Sequence, residues 1–506
     1  MIRAFVNGKI YISFKPLKTT EAIVIGNEKV IYTGDSEKAR KIAEELEGEV
    51  VDLKGKIALP GFIDSHIHLN SLGQSLKMLN LKGTKSIEEL KEKLKDYANK
   101  TNTSWILGFG WDQEELGRYP TKKDLDEIVN SKPVLLYRTC FHAAVLNTKA
   151  MEMVSLEEGE DADLETGIIK ENALEKVREI INETLTVEDY KHFLEEGAKF
   201  VLSQGVTSVG FVSVNKKSLR ALLELDNEGK LPIRVFVYLN PSLLEELKGL
   251  GLTRGVGSKR VKIMGIKVLA DGSLGARTAW LSKPYEDAPT TGHPNISREE
   301  LKKIVQEAHR LGLQMAIHAI GDKTTDMILG IYEELGGERN RIEHASILRE
   351  DQIKRMKRLG VVASVQPRFV ISDWWVVKRV GKRRAKWVYP FKSMLEEGVM
   401  IGFGTDSPIE PANPWESIYA AVTRGKFEGI EIYNYTKGEC LSLEESLHSY
   451  TYGSACIMHA EDELGTLEEG KFGDFIIVDR DPFEAKEEEL RDIKVLEVYV
   501  AGSKNH

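Results

Sequence analysis

Residues 57–68 read IALPGFIDSHIH, an apolar strand-like run whose closing histidines, His66 and His68, stand two positions apart. In a strand that spacing sends both imidazoles to one face. Seven more runs of the same character follow: GVTSVGF (205–211), IRVFVYL (233–239), VKIMGIKVLADG (261–272), LQMAIHA (313–319), RIEHAS (341–346), VVASVQP (361–367) and MIGFGTDS (400–407). Amphipathic helical stretches lie between most of them, such as REELKKIVQEAHRLG (298–312) and EDQIKRMKRLG (350–360), the second ending on Gly360, a residue expected just past a helix. Eight strands alternating with helices predict an α/β fold, a (β/α)8 TIM-type barrel with its functional residues at the C-terminal ends of the strands.

The flanks differ. AFVNGKIYI, EAIVIGNEKVIYTG and EVVDLKGKIALPG are short strands punctuated by Gly turns, and KFGDFIIVDRDP and IKVLEVYVAG return to that style at the other end. The C-terminal strands are too few for a sheet of their own, so residues 1–58 and 465–506 are expected to pair as one accessory β domain, with the barrel at 59–464. The interval between the first two barrel strands is too long for a βα loop, and about residues 71–185 read as an insertion with its own helix and strands. It leaves from the catalytic end and is expected to roof or wall the site.

Of 506 residues, 42% are hydrophobic, enough for a large core. Seventy Lys and Arg against 79 Asp and Glu give a net charge of −9, which offers no field to hold nucleic acid or an anionic membrane. A small-molecule partner is expected. Cys140, Cys440 and Cys456 have no disulfide-framework or zinc-knuckle spacing. With no signal-peptide core and no membrane-length apolar run, the expected compartment is the reducing cytoplasm.

An isolated His-x-His is weak evidence for a metal, because single histidines are more often packed or solvated. The other strand ends add to it. In QMAIHAI, alternation points His318 inward, and in MIGFGTDS it places Gly402, Gly404 and Asp406 on one face, with space above the glycines for a carboxylate. In RIEHAS, Glu343 and His344 must face opposite ways, so His344 is assigned to the centre and Glu343 elsewhere. Lys262 and Lys267 also oppose each other, and Lys267, nearer the catalytic end, is the inward candidate in an apolar setting that favours a depressed pKa or chemical modification. Imidazoles with a carboxylate suit zinc, with manganese, iron or cobalt as substitutes. Asp271 and Arg277 follow Lys267 in DGSLGARTA; Arg277 could hold a substrate carboxylate or brace the loop by pairing with Asp271. The glycine-rich GSLG and GFG segments lack phosphate-loop or dinucleotide fingerprints.

LPGFIDSHIHL, KVLADGSLGARTA, IHAIGD, RIEHAS, SVQP, GTDSPIEPANPW and GTLEEGKFGDFIIVD, in this order over nearly the whole chain, resemble the amidohydrolase superfamily of metal-dependent hydrolases, in the branch containing N-substituted formamide deformylase. The resemblance implies a distorted barrel with a β-sandwich built from both termini. It implies that His66 and His68 bind one divalent metal, His318 and His344 a second, and that Lys267, as a carbamate made with carbon dioxide, bridges them. Asp406 would touch metal and nucleophile, and Trp111 and His142 in the insertion would line the substrate pocket, although packing in the insertion's own core is an equal reading for Trp111. The implied reaction is hydrolysis of a non-peptide carbon–nitrogen bond by a metal-bound hydroxide, with Asp406 moving the proton to the departing nitrogen. Lactone, ester or deamination chemistry on the same centre, and a non-catalytic regulatory protein of this fold, are the alternatives; the family also suggests a homodimer.

Overall fold

The computed structural model of the chain describes residues 2–139, 142–159 and 161–506, so Cys140 lies outside the described residues. Cys440 and Cys456 are free thiols. Two compact units divide the chain: one of residues 1–69, 198–216 and 226–506, the other of 70–197 and 217–225.

The larger unit holds eight parallel strands: β1 (Phe62–Ile67), β2 (Val206–Val214), β3 (Arg234–Leu239), β4 (Val261–Leu269), β5 (Gln314–Ala319), β6 (Arg341–His344), β7 (Val362–Val365) and β8 (Ile401–Phe403), hydrogen-bonded in that order. The ring closes at its C-terminal rim, where the Asp406 amide donates to the His66 carbonyl (2.8 Å) and the His68 amide to the Ser407 carbonyl (3.0 Å). Inside, Ile63, Phe236, Tyr238, Met264, Ala316 and Val362 form a packed layer that Ile457, Met458 and Leu464 join. This is a filled core, so chemistry is confined to the rim. The helix Glu350–Leu359 ends on Gly360 in the left-handed conformation (φ +66°), which a residue without Cβ adopts freely.

The chain ends meet in the same unit. A six-stranded sheet joins Leu17–Thr20, Lys9–Phe14 and Ile57–Pro60 on one side to Phe475–Val478, Val495–Val500 and Ser503–Lys504 on the other, through the antiparallel pair of Ile57–Pro60 with Phe475–Val478. A four-stranded sheet of Ile2–Val6, Ala22–Gly26, Lys29–Gly34 and Glu49–Asp52 shares a core with it through Phe5, Ile23, Ile25, Phe475 and Tyr499. Alternation gives the small sheet a second apolar face, Ala4, Val6, Ala22 and Val24, covered by Ala39 and Ala43 of the helix Ser36–Glu45. The barrel with an accessory β domain is therefore the architecture.

The smaller unit has a six-stranded sheet, running from Ala162–Asp163 through Val134–Arg138 and Ile106–Trp111 to Leu79–Asn80, and a core that includes Leu90, Leu94, Trp111, Leu136 and Val145. Among the described residues no helix is long and apolar enough to cross a membrane.

Candidate metal centre

β1 carries one extra residue against β2: Asp64 and Ile67 pair with Val209 and Phe211, a bulge that frees His66 from strict alternation. His66 is fully buried; its Nδ1 is hydrogen-bonded to Glu343 Oε2, and its Nε2 has no hydrogen-bond partner among the described residues, standing 3.3 Å from Asp406 Oδ1 without hydrogen-bond geometry. His68 Nε2 is 3.2 Å from the same oxygen. Asp406 lies past the end of β8 at φ +58°, so a left-handed turn and not the pleat aims its carboxylate. The space over Gly404 is not kept for that carboxylate, as alternation suggested. A Cβ there would lie 2.7 Å from His66 N, so the glycine lets the two strands approach.

His344, also left-handed (φ +72°), breaks the alternation of β6, and this corrects the expectation that only one of Glu343 and His344 reaches the centre. Glu343 holds His66 from one side and Arg341 from the other, through bonds of 2.7 and 2.8 Å. His344 Nδ1 donates to Gln366 Oε1 (2.7 Å), which leaves Nε2 as its lone-pair nitrogen. His318 Nε2 faces the Gly272 carbonyl (2.9 Å), an acceptor only, so Nε2 donates and Nδ1 is the nitrogen left over. The rings converge, with centroids 5.0 Å apart for His66 and His344 and 4.4 Å for His318 and His344. Each of His66, His344 and Asp406 offers a donor atom within 4.8 Å of the others.

Lys267 is buried at the end of β4, and burial pushes its ammonium pKa down. Lys262 turns away to Glu463 (2.6 Å). Burial drives the Asp406 carboxyl up, but His66 and His68 outweigh it and hold it well below the usual range. Burial, then the neighbouring His318, pushes the His344 imidazole well below its ordinary range. Against burial and Lys267, the carboxylates of Asp406 and Glu343 draw His66 upward. Converging imidazoles, a buried carboxylate and an unused His66 nitrogen are a donor set that fits a divalent cation.

The remaining predicted residues are placed differently. Asp271 is fully buried but does not pair with Arg277. It accepts from the amides of Trp280 (3.0 Å), Ile320 (3.1 Å) and Gly321 (2.9 Å) and from Thr324 Oγ1 (2.7 Å), bracing the rim behind His318. Arg277 pairs with Asp287 (3.0 and 2.9 Å) on the outer part of its loop. Trp111 is a core residue of the smaller unit, its Nε1 donating to the Leu136 carbonyl (2.8 Å), which corrects its assignment as a pocket wall. His142 is exposed in that unit, 3.5 Å from Glu171.

Sequence reasoning missed the supports. Asp64, buried and raised by that burial to about 6, accepts from the amides of His66 (3.1 Å) and Thr405 (3.0 Å) and from Thr405 Oγ1 (2.5 Å), tying β1 to the Asp406 turn. Arg341 and Glu343, two apart in β6, and Gln366 beside the β7 end were legible only as strand-end polar residues.

Histidines and an aspartate converging on the C-terminal rim of a parallel barrel define a metal-dependent hydrolase. The chain belongs to the amidohydrolase family, whose model (Amidohydro_3, Amidohydrolase family) matches residues 49–503. It is similar, at 52% identity and a TM-score of 0.88, to the crystal structure of an uncharacterized metal-dependent hydrolase from Pyrococcus horikoshii OT3, over 96% of this chain and 99% of that one. Protein LONG AFTER FAR-RED 3 of Arabidopsis thaliana is 32% identical over 98% of this chain and 90% of its own. N-substituted formamide deformylase of Arthrobacter pascens is 25% identical over 95% and 94%.

Proposed function

We propose that the chain hydrolyses a non-peptide carbon–nitrogen bond of amide type in a small molecule, using His66, His68, Lys267, His318, His344 and Asp406 as its metal-holding set. The observation that carries this reading is the buried, unpartnered Nε2 of His66, fixed by Glu343 at its other nitrogen and set beside Asp406. A divalent metal, zinc by donor chemistry, supplies Lewis acidity towards a carbonyl and a water of lowered pKa when bound there.

The chain's own residues do the rest. Asp406 takes the proton of the attacking water and hands it to the departing nitrogen, a role open to a carboxylate kept ionised by two imidazoles. Glu343 and Gln366 hold the rings of His66 and His344 in one tautomer each. Lys267, buried and with a lowered pKa, has the free-amine character needed to add to carbon dioxide as a carbamate, which would release one proton and give the metal-holding set a second carboxylate. The name of the Arthrobacter pascens relative supports the amide-type bond. A panel of N-acyl amines, lactones, esters and aminopurines, offered to metal-replete protein, tests it: amine release fits the proposal, while ammonia or acid release alone assigns another bond. Asp406→Asn should cut kcat by at least about 100-fold on the true substrate.

A further inference from the structure

A cavity of about 1370 Å³ lies on the rim side of the barrel, between the loop after β4 (283–286) and the loop after β7 (377–387). The second loop contains the run KRVGKRRAK (378–386), dense in cations for a chain of net charge −9. Two of its arginines are committed. Arg379 is ion-paired with Asp287, and Arg384, 8% exposed, donates to the carbonyls of Val380 (2.6 Å), Lys283 (2.9 Å) and Pro284 (2.7 Å). That guanidinium staples the two loops, so the walls of the cleft are fixed against each other. Gly381 makes the turn at φ +75°, where a Cβ would come within 2.6 Å of Glu286 Oε2.

Lys283, Lys382, Arg383 and Lys386 line the same cleft, and among the described residues no carboxylate pairs with them. Four like charges around one space repel one another, a cost that a bound anion offsets. Arg383 adds a planar fork for bidentate contact with phosphate or carboxylate.

We propose that this cleft is a binding site for a compact polyanion, a ligand bearing several phosphate or carboxylate groups close together. Compactness follows from the surroundings: Glu286 and Glu431 border the cations and the chain as a whole carries a net charge of −9, so a long polyanion would meet carboxylates beyond the cluster. The site is independent of the hydrolytic reading, since none of its residues belongs to the metal-holding set.

Calorimetric titration of the full-length, metal-replete protein with inorganic tripolyphosphate and, separately, citrate tests the proposal. Saturable binding of at least one is expected, weakening several-fold between about 50 and about 200 mM salt. The better ligand tells phosphate from carboxylate. The triple variant Lys382→Ala/Arg383→Ala/Lys386→Ala, altered only at exposed side chains, should melt like the wild type and bind at least about tenfold more weakly. Absence of binding to both probes overturns the proposal. So does binding that persists in the triple variant, as chelation of the site metal would, and so does tighter binding of a single-stranded oligonucleotide than of either probe.

Discussion

Glu343 serves two partners at once: it fixes His66 through Nδ1 and neutralises Arg341, both inside a fully buried layer. Burial raises its pKa, but Arg341 and then His66 overcome this and hold it below the ordinary range. Glu343→Ala would strand a buried guanidinium, and urea unfolding should show a loss of about 3–5 kcal/mol. Gln366→Ala removes a support without stranding a charge. Chelator competition should find metal affinity about 10- to 100-fold weaker, with the fold intact. The proposed ligands were legible because they stand at or near the C-terminal ends of apolar strand-like runs. Glu343 was not, since alternation assigns it the opposite face to His344, and the left-handed backbone that brings both inward has no sequence signature in RIEHAS.

The segment after β7 is built from short helices, Phe369–Ser372, Val376–Val380 and Phe391–Glu397, with no sustained period from which the sequence could announce them. Within it Asp373 is held by the Tyr389 hydroxyl, and burial raises its carboxyl to about 6. The folded state therefore favours the protonated acid. Its contribution is fully present below the unfolded value near 4 and is lost as pH rises through about 6. Asp373→Asn keeps an acceptor for Tyr389 and removes the charge. Thermal melting should show the variant more stable than the wild type at pH 8, by at most about 3 kcal/mol, and the difference should vanish near pH 4. The eight strands, by contrast, were readable as apolar runs. Trp111 shows where such reading stops: an aromatic in an inserted unit suits a core and a pocket equally until its neighbours are known.

Across the whole molecule, the two chain ends complete one β domain that is tied to the barrel. Arg234 at the start of β3 donates to Asp474 (2.7 and 3.1 Å), both about 96% buried, and its guanidinium lies 3.6 Å from the centre of the Phe472 ring. Asp474→Ala should cost about 3–5 kcal/mol in denaturant unfolding, because Arg234 would remain buried without its partner. The pairing of the ends was legible from strand counting, since neither end has enough strands alone; the ion pair was not, because its residues are 240 positions apart. The central claim, hydrolysis that depends on a metal held by the rim histidines, is tested most directly by metal content per chain measured together with amide hydrolysis before chelation, after chelation and after readdition of zinc. At least one equivalent, lost and regained in step with activity and absent from His66→Ala, is the result predicted. Undiminished hydrolysis by metal-free protein, or no metal retained even after reconstitution, would contradict it.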